Sequence, residues 1–481
     1  MGQRARSFLA NYTILVAGDL ASKFLVFWAT ARMARVLGTD LFGNLAFAGA
    51  FTAYFSLLVS QGLGTYGTQE VARQPGRVRE YVNSILALRF CASFVAGIIL
   101  VVTVWFLGRA TVITTLTLLY GLMFFSSAFS LNWVFQALEQ MKLVAAGAVV
   151  TQLAFSICIL LFLNRPEQII WIPIFQFGGE LAAILLLACF YFRQFGGIRL
   201  KFDFRIWSRL WKESLPIGLS AALAMVLFNF DIVLLGFMKS PAEVGQYSAA
   251  YKFINFFSAF IILYYSNLFP SISRCRNNHT LLRRISDRSL KYTLVLAIPL
   301  GVGGIFLARP LMAWIFGPEF SEGAAALRML FWIIPVTASR VVYRATLLSH
   351  GLQRDYLWIA LIAASINTGL NLLLIPDFSF FGAAVASVIG EIAVLCRVYQ
   401  RVARQVVRLP LSPHLWKPAV ACLPMIAFLL WLDGGSLFYR IAGGLLIYMF
   451  AAWVMGAVDL KEISREIRTP EPASHLVKGQ E

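Results

Sequence analysis

Long apolar stretches follow one another along almost the whole chain, and short polar segments separate them. A stretch of roughly 20 mostly apolar residues is long enough to cross a bilayer as a helix. The pattern therefore predicts an all-α integral membrane protein with about 14 transmembrane helices. The predicted spans are 10–36, 42–62, 83–107, 112–133, 144–163, 169–192, 214–236, 244–270, 289–308, 323–349, 356–375, 380–399, 416–432 and 438–457.

The composition agrees with this pattern and argues against a soluble protein. Hydrophobic residues make up 59% of the 481-residue chain and charged residues 13%, whereas soluble proteins are about half apolar and about a quarter charged. The formal net charge of +18 would indicate nucleic-acid binding in a soluble protein. Here the basic residues lie mostly between the apolar stretches, so topology and anionic membrane lipids account for them. We expect no nucleic-acid partner.

The distribution of Lys and Arg also indicates an orientation. With a cytoplasmic N-terminus, most of the 41 Lys and Arg residues fall in cytoplasmic segments. The predicted outer segments carry Arg109, Arg165, Lys239, Arg309 and Arg440. Because short cytoplasmic loops are enriched in basic residues, this alternation predicts a multi-pass protein of the inner (plasma) membrane with both termini in the cytoplasm. The first apolar stretch is too long for a cleavable signal peptide, so we expect it to be retained.

A short internal similarity indicates two copies of a six-helix unit. Segments 42–51 and 244–253 align Gly43 with Gly245, and each opens the second span of its half. Chance similarity between apolar helices is the alternative. The interpretation predicts two lobes, related as parallel repeats around a central cavity. Transporters that are built from two such repeats bind their substrate in this cavity. The predicted organisation is an N-lobe at 1–192, a cytoplasmic linker at 193–213, a C-lobe at 214–400, spans 13 and 14 at 401–460, and a cytoplasmic tail at 461–481.

Charged residues inside the predicted spans are the main candidates for function. A charge at the bilayer centre costs roughly 3 kcal/mol, so such side chains face a cavity or a partner. Basic residues outnumber acidic ones, which predicts a cationic cavity and an anionic substrate. The basic residues are Lys23, Arg32, Arg35, Arg89, Lys252, Arg328, Arg340 and Arg344, and the acidic residues are Asp19, Glu180, Asp231 and Glu391.

Arg340 and Arg344 carry the strongest indication of a substrate site. They lie one helical turn apart with no acid between them, and like charges at that spacing repel. The pair therefore requires an anion, an acid from another helix, or water. Snorkelling to the membrane interface is the alternative for these two residues and for Arg32, Arg35, Arg89 and Arg328.

The acidic residues leave two interpretations open. Asp231 could pair with Lys252, and Asp19 with Lys23 on one helical face. Alternatively, the intramembrane acids bind a coupling proton or sodium ion. Neither a metal site nor a cofactor is predicted, because the cysteines and histidines lack ligand spacing and no Gly-rich nucleotide-binding loop is present.

Several segments resemble the Wzx-type polysaccharide flippases of the MOP superfamily. Leu45, Gln69 and Asn132 stand where that family has an aromatic, a basic and an acidic residue. The resemblance covers most of the chain to about residue 400. It rests on VLGTDLFG at 36–43, GLGTYGTQEVAR at 62–73, NWVFQALE at 132–139, EVGQYSAAYK at 243–252, IFGPEF at 315–320, and NLLLIP with GAA at 371–376 and 382–384.

The resemblance implies a flippase for an oligosaccharide linked through diphosphate to a polyprenol. Such proteins accept the glycolipid at the cytoplasmic leaflet and deliver it to the outer leaflet, where a polymerase or ligase of the same pathway uses it. The chain is then not an enzyme, and we expect a monomer that contacts membrane lipids. Polar side chains inside the spans, such as Gln61, Asn367 and Asn371, are candidates for sugar contacts or for helix–helix hydrogen bonds.

Three other functions are compatible with such a sequence. A multidrug exporter of the same superfamily would favour cationic drugs and should have an excess of intramembrane acids. A polymerase or ligase of the pathway would be expected to have a large external loop, whereas the predicted outer loops are short. A lipid-linked peptidoglycan precursor flippase of a sister family fits the motifs less well.

Overall fold

The computed structural model describes the backbone of residues 3–457 and the side chains within it other than those of 3–17, 19, 220, 221, 223, 224, 226–229, 266 and 267. This part of the chain is helical and contains no strand. Three short 3-10 helices lie at Pro75–Arg77, Pro166–Ile170 and Pro318–Gly323. The α-helices are α1 Gln3–Ser60, α2 Leu63–Arg73, α3 Val78–Leu107, α4 Thr111–Tyr120, α5 Met123–Phe129, α6 Asn132–Ala137, α7 Met141–Phe162, α8 Trp171–Phe195, α9 Phe204–Met238, α10 Pro241–Arg274, α11 His279–Ile315, α12 Ala324–Leu330, α13 Ile333–Ser349, α14 Gln353–Gln405, α15 Ser412–Trp431 and α16 Leu437–Val454.

Eleven helical stretches of the described chain are long and apolar enough to cross a membrane. Two of them, Leu20–Arg73 and Gln353–Gln405, have 54 and 53 residues. At a rise of about 1.5 Å per residue, each is long enough for two crossings of a hydrocarbon core about 30 Å thick. With the 35-residue α9 added, the helices are compatible with the predicted count of about 14 spans. The all-α membrane fold is confirmed.

Both long helices contain a break where the predicted spans meet. Gly38 in α1 has a φ of 70°, in a region of backbone space that glycine enters at no steric cost. Ser379 in α14 has a φ of 49°. Gly38 falls between the predicted spans 10–36 and 42–62, and Ser379 falls between 356–375 and 380–399. The chain therefore turns at these positions without an intervening loop.

The contacts divide the described chain into two compact units. Unit 1 contains the residues up to Phe256 together with Met312–Ala326 and Ala360–Gly390. Unit 2 contains Phe257–Leu311, Leu327–Ile359 and the residues from Glu391 onwards. These units differ in extent from the predicted lobes at 1–192 and 214–400. The lobes were inferred from an internal sequence repeat and not from contacts, so they stay a prediction.

The core of unit 1 forms where α2, α3, α6, α8 and α9 pack together. Its members are apolar side chains, almost all fully buried, and one of them, Trp133, also lines the cavity described below. They include Leu63, Val82, Ile85, Val134, Phe135, Leu187, Tyr191 and Leu210. The van der Waals contacts of this cluster hold the short helices α2 and α6 in place.

The core of unit 2 joins α11, α15 and α16. Leu294, Met425 and Leu429 are buried there, and the hydroxyl of Tyr448 donates a hydrogen bond to the carbonyl of Val295 at 2.7 Å. Helix α13 in the same unit is buried over most of its length. Since α13 carries Arg340 and Arg344, the fold places two guanidinium groups on one of its most buried helices.

Candidate functional site

Arg340 lies in an ion pair with an acid from another helix. Its Nε is 2.9 Å from Oε2 of Glu391 in α14, and the two side chains are 10% and 20% exposed. Its Nη1 donates a hydrogen bond to the hydroxyl of Tyr356 at 3.3 Å. Of the partners that the sequence left open for the arginine pair, the structure therefore supplies an acid, and that acid is Glu391.

Arg344, one turn further along α13, lies over two aromatic rings. Its guanidinium carbon is 5.3 Å from the ring centre of Tyr265 and 4.9 Å from that of Tyr356. A guanidinium over an aromatic face is stabilised by the ring quadrupole, and its edge still carries N–H donors. Among the described residues, the buried Nε of Arg344 has no hydrogen-bond partner.

These residues form one cluster in unit 2, which we call the arginine cluster: Arg340, Arg344, Glu391, Tyr265 and Tyr356. With one carboxylate for two guanidiniums, the cluster has a net positive charge. Arg is the side chain best suited to bidentate contact with phosphate. The arrangement can therefore bind an anionic group, with the tyrosine rings alongside the guanidinium.

Asp231 forms a second polar centre, in unit 1. The residue is 4% exposed and accepts hydrogen bonds from Tyr247 at 2.9 Å, Ser387 at 2.5 Å and Asn371 at 2.6 Å. Asn371 also donates to the side-chain oxygen of Asn367 at 3.0 Å. These neutral donors satisfy the carboxyl oxygens of Asp231 with hydrogen bonds.

The pairing of Asp231 with Lys252 that the sequence suggested is not found. In the described part of the chain, Asp231 is bonded to neutral side chains, and Lys252 is exposed on α10 with no hydrogen-bond partner. The carboxylate thus has no fixed cation among the described residues. The oxygens around it are the kind of ligands that a proton or a hard cation takes.

The remaining predicted site residues have separate surroundings. Arg32 donates from Nη2 to Oδ1 of Asn164 at 2.8 Å, and Glu180 accepts a hydrogen bond from Ser126. Lys23 is half-buried and Arg328 is exposed. The side chain of Asp19 lies outside the described residues.

Arg35 has a structural role at the end of a helix. Its Nε donates to the carbonyl of Ile315 at 2.9 Å, and its Nη2 donates to that of Trp314. These carbonyls belong to the last turn of α11, where a cation complements the helix dipole and bonds unpaired carbonyls. Arg35 is one of the basic residues inside the predicted spans, and its guanidinium donates to these backbone carbonyls.

Arg89 lies at a cavity of about 330 Å³ in unit 1. The residue is 5% exposed and has no hydrogen-bond or ion-pair partner among the described residues. The cavity joins two segments that the sequence had marked by their resemblance to flippases. Its other lining residues are Gly64, Thr65, Thr68, Ser127, Ser130, Asn132, Trp133 and Gln136.

Sequence reasoning missed the neutral partners of these charges. Tyr247 lies in the segment 243–252 that carries the resemblance, but nothing there marks it as a partner of Asp231. Ser387 at Asp231, and Tyr265 and Tyr356 at Arg344, are ordinary residues of apolar or interfacial stretches. Ser387 lies 156 positions from Asp231 along the chain, so no local spacing signals the contact. Asn371 was marked only as one of several polar residues inside the spans.

Comparison with known proteins identifies the family. Residues 8–276 match the family model described as "Polysaccharide biosynthesis protein", and residues 216–373 match that of MatE. A putative O-antigen transporter of Shigella dysenteriae is 20% identical over 392 residues, which cover 80% of this chain and 97% of the relative.

Solved structures share the fold. The lipid II flippase MurJ, in an inward closed conformation, superimposes with a TM-score of 0.75 at 15% identity, over 94% of this chain and 99% of that one. An inward-facing multidrug resistance MATE family transporter of the MOP superfamily gives 0.61 at 12% identity, over 79% and 95%. The resemblance to Wzx-type flippases of the MOP superfamily is thereby confirmed, and the chain belongs to the polysaccharide biosynthesis protein family.

Proposed function

We propose that this protein is a flippase that moves an oligosaccharide, linked through diphosphate to a polyprenol, from the cytoplasmic to the outer leaflet of the inner membrane. The single observation that carries the proposal is the arginine cluster on a buried helix of this transporter fold. The relative named as an O-antigen transporter supports a substrate of this class. The work is translocation by alternating access, with no covalent step, so the protein is not an enzyme.

The arginine cluster suits a diphosphate because its described residues offer two guanidiniums and one acid. Arg340 is held by Glu391 and Tyr356, while Arg344 keeps N–H donors beside two rings. An entering diphosphate would compete with Glu391 for Arg340 and would bind Arg344 through charge-assisted hydrogen bonds. After the diphosphate is released, Glu391 forms its ion pair with Arg340 again. The prenyl chain remains in lipid.

Asp231 is the group that we assign to ion coupling. Its buried carboxylate has only neutral partners among the described residues, and the side-chain oxygen of Asn371 beside it lacks a hydrogen-bond donor. A proton or a sodium ion would complete this set of oxygens. Glu180, bonded to Ser126, fits a structural role better.

The other predicted basic residues have a less direct role in the proposed transport. Lys23, Arg32, Lys252 and Arg328 contribute to a positive field for the substrate rather than to the arginine cluster. Both termini are cytoplasmic, as the distribution of Lys and Arg indicates. The monomer delivers its glycolipid to a polymerase or ligase of the same pathway.

The test is transport of a fluorescent polyprenyl-diphosphate oligosaccharide in proteoliposomes, with and without a proton or sodium gradient. We expect protein-dependent movement that Arg344→Gln reduces strongly. The control Arg404→Gln removes an exposed arginine from the last turn of α14 in the same unit and should transport normally. Gradient-driven movement of an organic cation without glycolipid movement would instead favour the multidrug exporter. Elongation of the glycan by the purified protein would favour the polymerase.

A further inference from the structure

We propose that the cavity around Arg89 is a second anion site, which binds the phosphate group of a membrane lipid. The cavity belongs to unit 1 and is formed by α2, α3, α5 and α6. The inference does not depend on the proposed function, because ordinary phospholipids and a polyprenyl diphosphate carry the same chemical group.

Arg89 carries a buried positive charge that has no partner among the described residues. The guanidinium has five N–H donors and cannot lose its charge in a protein. It is 95% buried, and its Nε has no hydrogen-bond partner among the residues that the structure describes. The described residues that line the cavity include no Asp or Glu. A buried charge without a partner is costly, and proteins normally compensate it by pairing or by a ligand.

The other lining side chains are suited to phosphate oxygens. The indole Nε1 of Trp133 is a second buried donor that has no partner in the described part of the chain. The hydroxyls of Ser127 and Ser130 have no hydrogen-bond partner among the described residues. Among its described lining residues, the cavity therefore combines one fixed positive charge with several neutral donors and no competing carboxylate. This is the composition expected for an anion site.

Two glycines allow α2 to approach these donors. A Cβ at Gly64 would lie 2.8 Å from Nη2 of Arg89, and a Cβ at Gly67 would lie 2.7 Å from the ring of Trp133. The hydroxyl of Thr68 donates to the carbonyl of Trp133 at 3.1 Å and so ties α2 to α6. The segments 62–73 and 132–139 thus pack together and both line one cavity.

The mouth of the cavity indicates a lipid as the source of the phosphate. Thr65, Asn132 and Gln136 line the cavity and are exposed, whereas Arg89 is buried. In the predicted topology, Thr65 and Asn132 lie at the cytoplasmic ends of the second and fourth spans, at the level of anionic headgroups. A volume of about 330 Å³ is within the range of small-ligand pockets, roughly 300–1,000 Å³.

The experiment measures binding of three probes to the purified full-length chain after delipidation. The probes are phosphatidylglycerol, a polyprenyl diphosphate and inorganic phosphate, and diacylglycerol is the lipid control without phosphate. Native mass spectrometry gives apparent Kd values, and the ligand-induced rise in Tm checks them. We expect Arg89→Gln to weaken binding of the lipid phosphates at least about tenfold. Arg193→Gln, which removes an exposed arginine at the end of α8, should change it less than about twofold.

A second variant keeps the proposal testable if Arg89→Gln does not fold. Asn132→Asp adds a carboxylate to the same cavity and supplies Arg89 with an internal partner. We expect this variant to raise the Tm of the lipid-free protein and to abolish the Tm rise on adding lipid phosphate. A merely structural Arg89 would give a lower lipid-free Tm in Arg89→Gln and unchanged lipid binding in Asn132→Asp.

The three probes distinguish the source of the phosphate. Equal response to both lipids supports a general headgroup site, and response to the polyprenyl diphosphate alone supports a substrate site. Response to inorganic phosphate alone overturns the assignment to a lipid. The proposal is overturned if the wild-type protein binds none of the probes. It is also overturned if Arg89→Gln binds them with the same affinity as the wild type. These readouts remain valid whatever the transport assay of the proposed function shows.

Discussion

Gly43 in α1 and Gly245 in α10 are in direct backbone contact. A Cβ at Gly43 would lie 2.8 Å from the amide nitrogen of Gly245 and 1.8 Å from the carbonyl oxygen of Pro241. A Cβ at Gly245 would lie 2.1 Å from the carbonyl oxygen of Thr39. Small residues let membrane helices approach this closely. The two glycines that align in the internal similarity are therefore also in contact with each other.

This contact predicts that neither glycine tolerates a side chain. Gly43→Ala should destabilise the protein by about 1–3 kcal/mol, because backbone atoms of α10 must move. Gly97→Ala in α3 is the matched control, since no atom lies within 4 Å of its Cβ, and it should be neutral or stabilising by up to about 1 kcal/mol. Unfolding of both purified variants in the same detergent measures the difference. Equal stability of the two would show that α1 and α10 do not pack as described.

The extent to which sequence predicted this structure differs between the fold and the site. Apolar length and Lys/Arg bias define membrane helices because the bilayer imposes one thickness on every span. The same reasoning found Arg340, Arg344 and Glu391, since a charge within a span needs a partner. It did not pair them, because Arg340 and Glu391 lie on different helices, and ion-pair distances depend on helix packing that no local pattern encodes.

For Asp231, the sequence suggested a partner that the structure does not contain. Sequence reasoning offered Lys252 as its partner on the ground of opposite charge. The structure gives it Tyr247, Asn371 and Ser387 instead. Neutral hydrogen-bond donors can occupy the oxygens of a buried carboxyl group without any cation nearby. Since such donors are common in any span, their position cannot be deduced without the fold.

Asp231→Asn should uncouple transport from the ion gradient. The amide removes the charge that attracts a proton or sodium ion but is almost the same size, so the helices should still pack. We expect glycolipid movement in proteoliposomes to lose its stimulation by the gradient and to keep a basal rate. The exposed Asp40 provides the control, and Asp40→Asn should retain the stimulation. Full gradient dependence in Asp231→Asn would exclude this carboxylate as the coupling group.

Tyr356 has two separable roles, and its variants should distinguish them. Its hydroxyl accepts from Arg340 and its ring lies under Arg344. Tyr356→Phe keeps the ring and loses one hydrogen bond, so transport should fall by less than about tenfold. Tyr356→Leu also loses the cation–π contact, about 0.5–2 kcal/mol, and should raise the KM for glycolipid further. If Tyr356→Phe and Tyr356→Leu were equally impaired, the ring would have no role.

Replacing both Arg340 and Arg344 by alanine should abolish transport while the protein remains in the membrane. The double variant removes both guanidiniums of the arginine cluster and leaves the apolar surface of α13 intact. Complementation of a strain that lacks its own flippase measures transport, and the amount of protein in the membrane fraction controls for insertion. Normal complementation would exclude a cationic substrate site on α13.

The ion pair between Arg340 and Glu391 allows stability and transport to be separated in one protein. Removing one partner of a buried pair leaves an uncompensated charge and costs about 3–5 kcal/mol, whereas replacing both is often nearly neutral. Arg340→Gln should therefore destabilise the protein, and adding Glu391→Gln should restore most of the lost stability. Because Arg340 is also the proposed phosphate ligand, the double variant should still not transport. Thermal unfolding and glycolipid movement measured on the same preparations test both statements. Recovery of transport together with stability would mean that Arg340 serves only to neutralise Glu391, and the anion site would then rest on Arg344 alone.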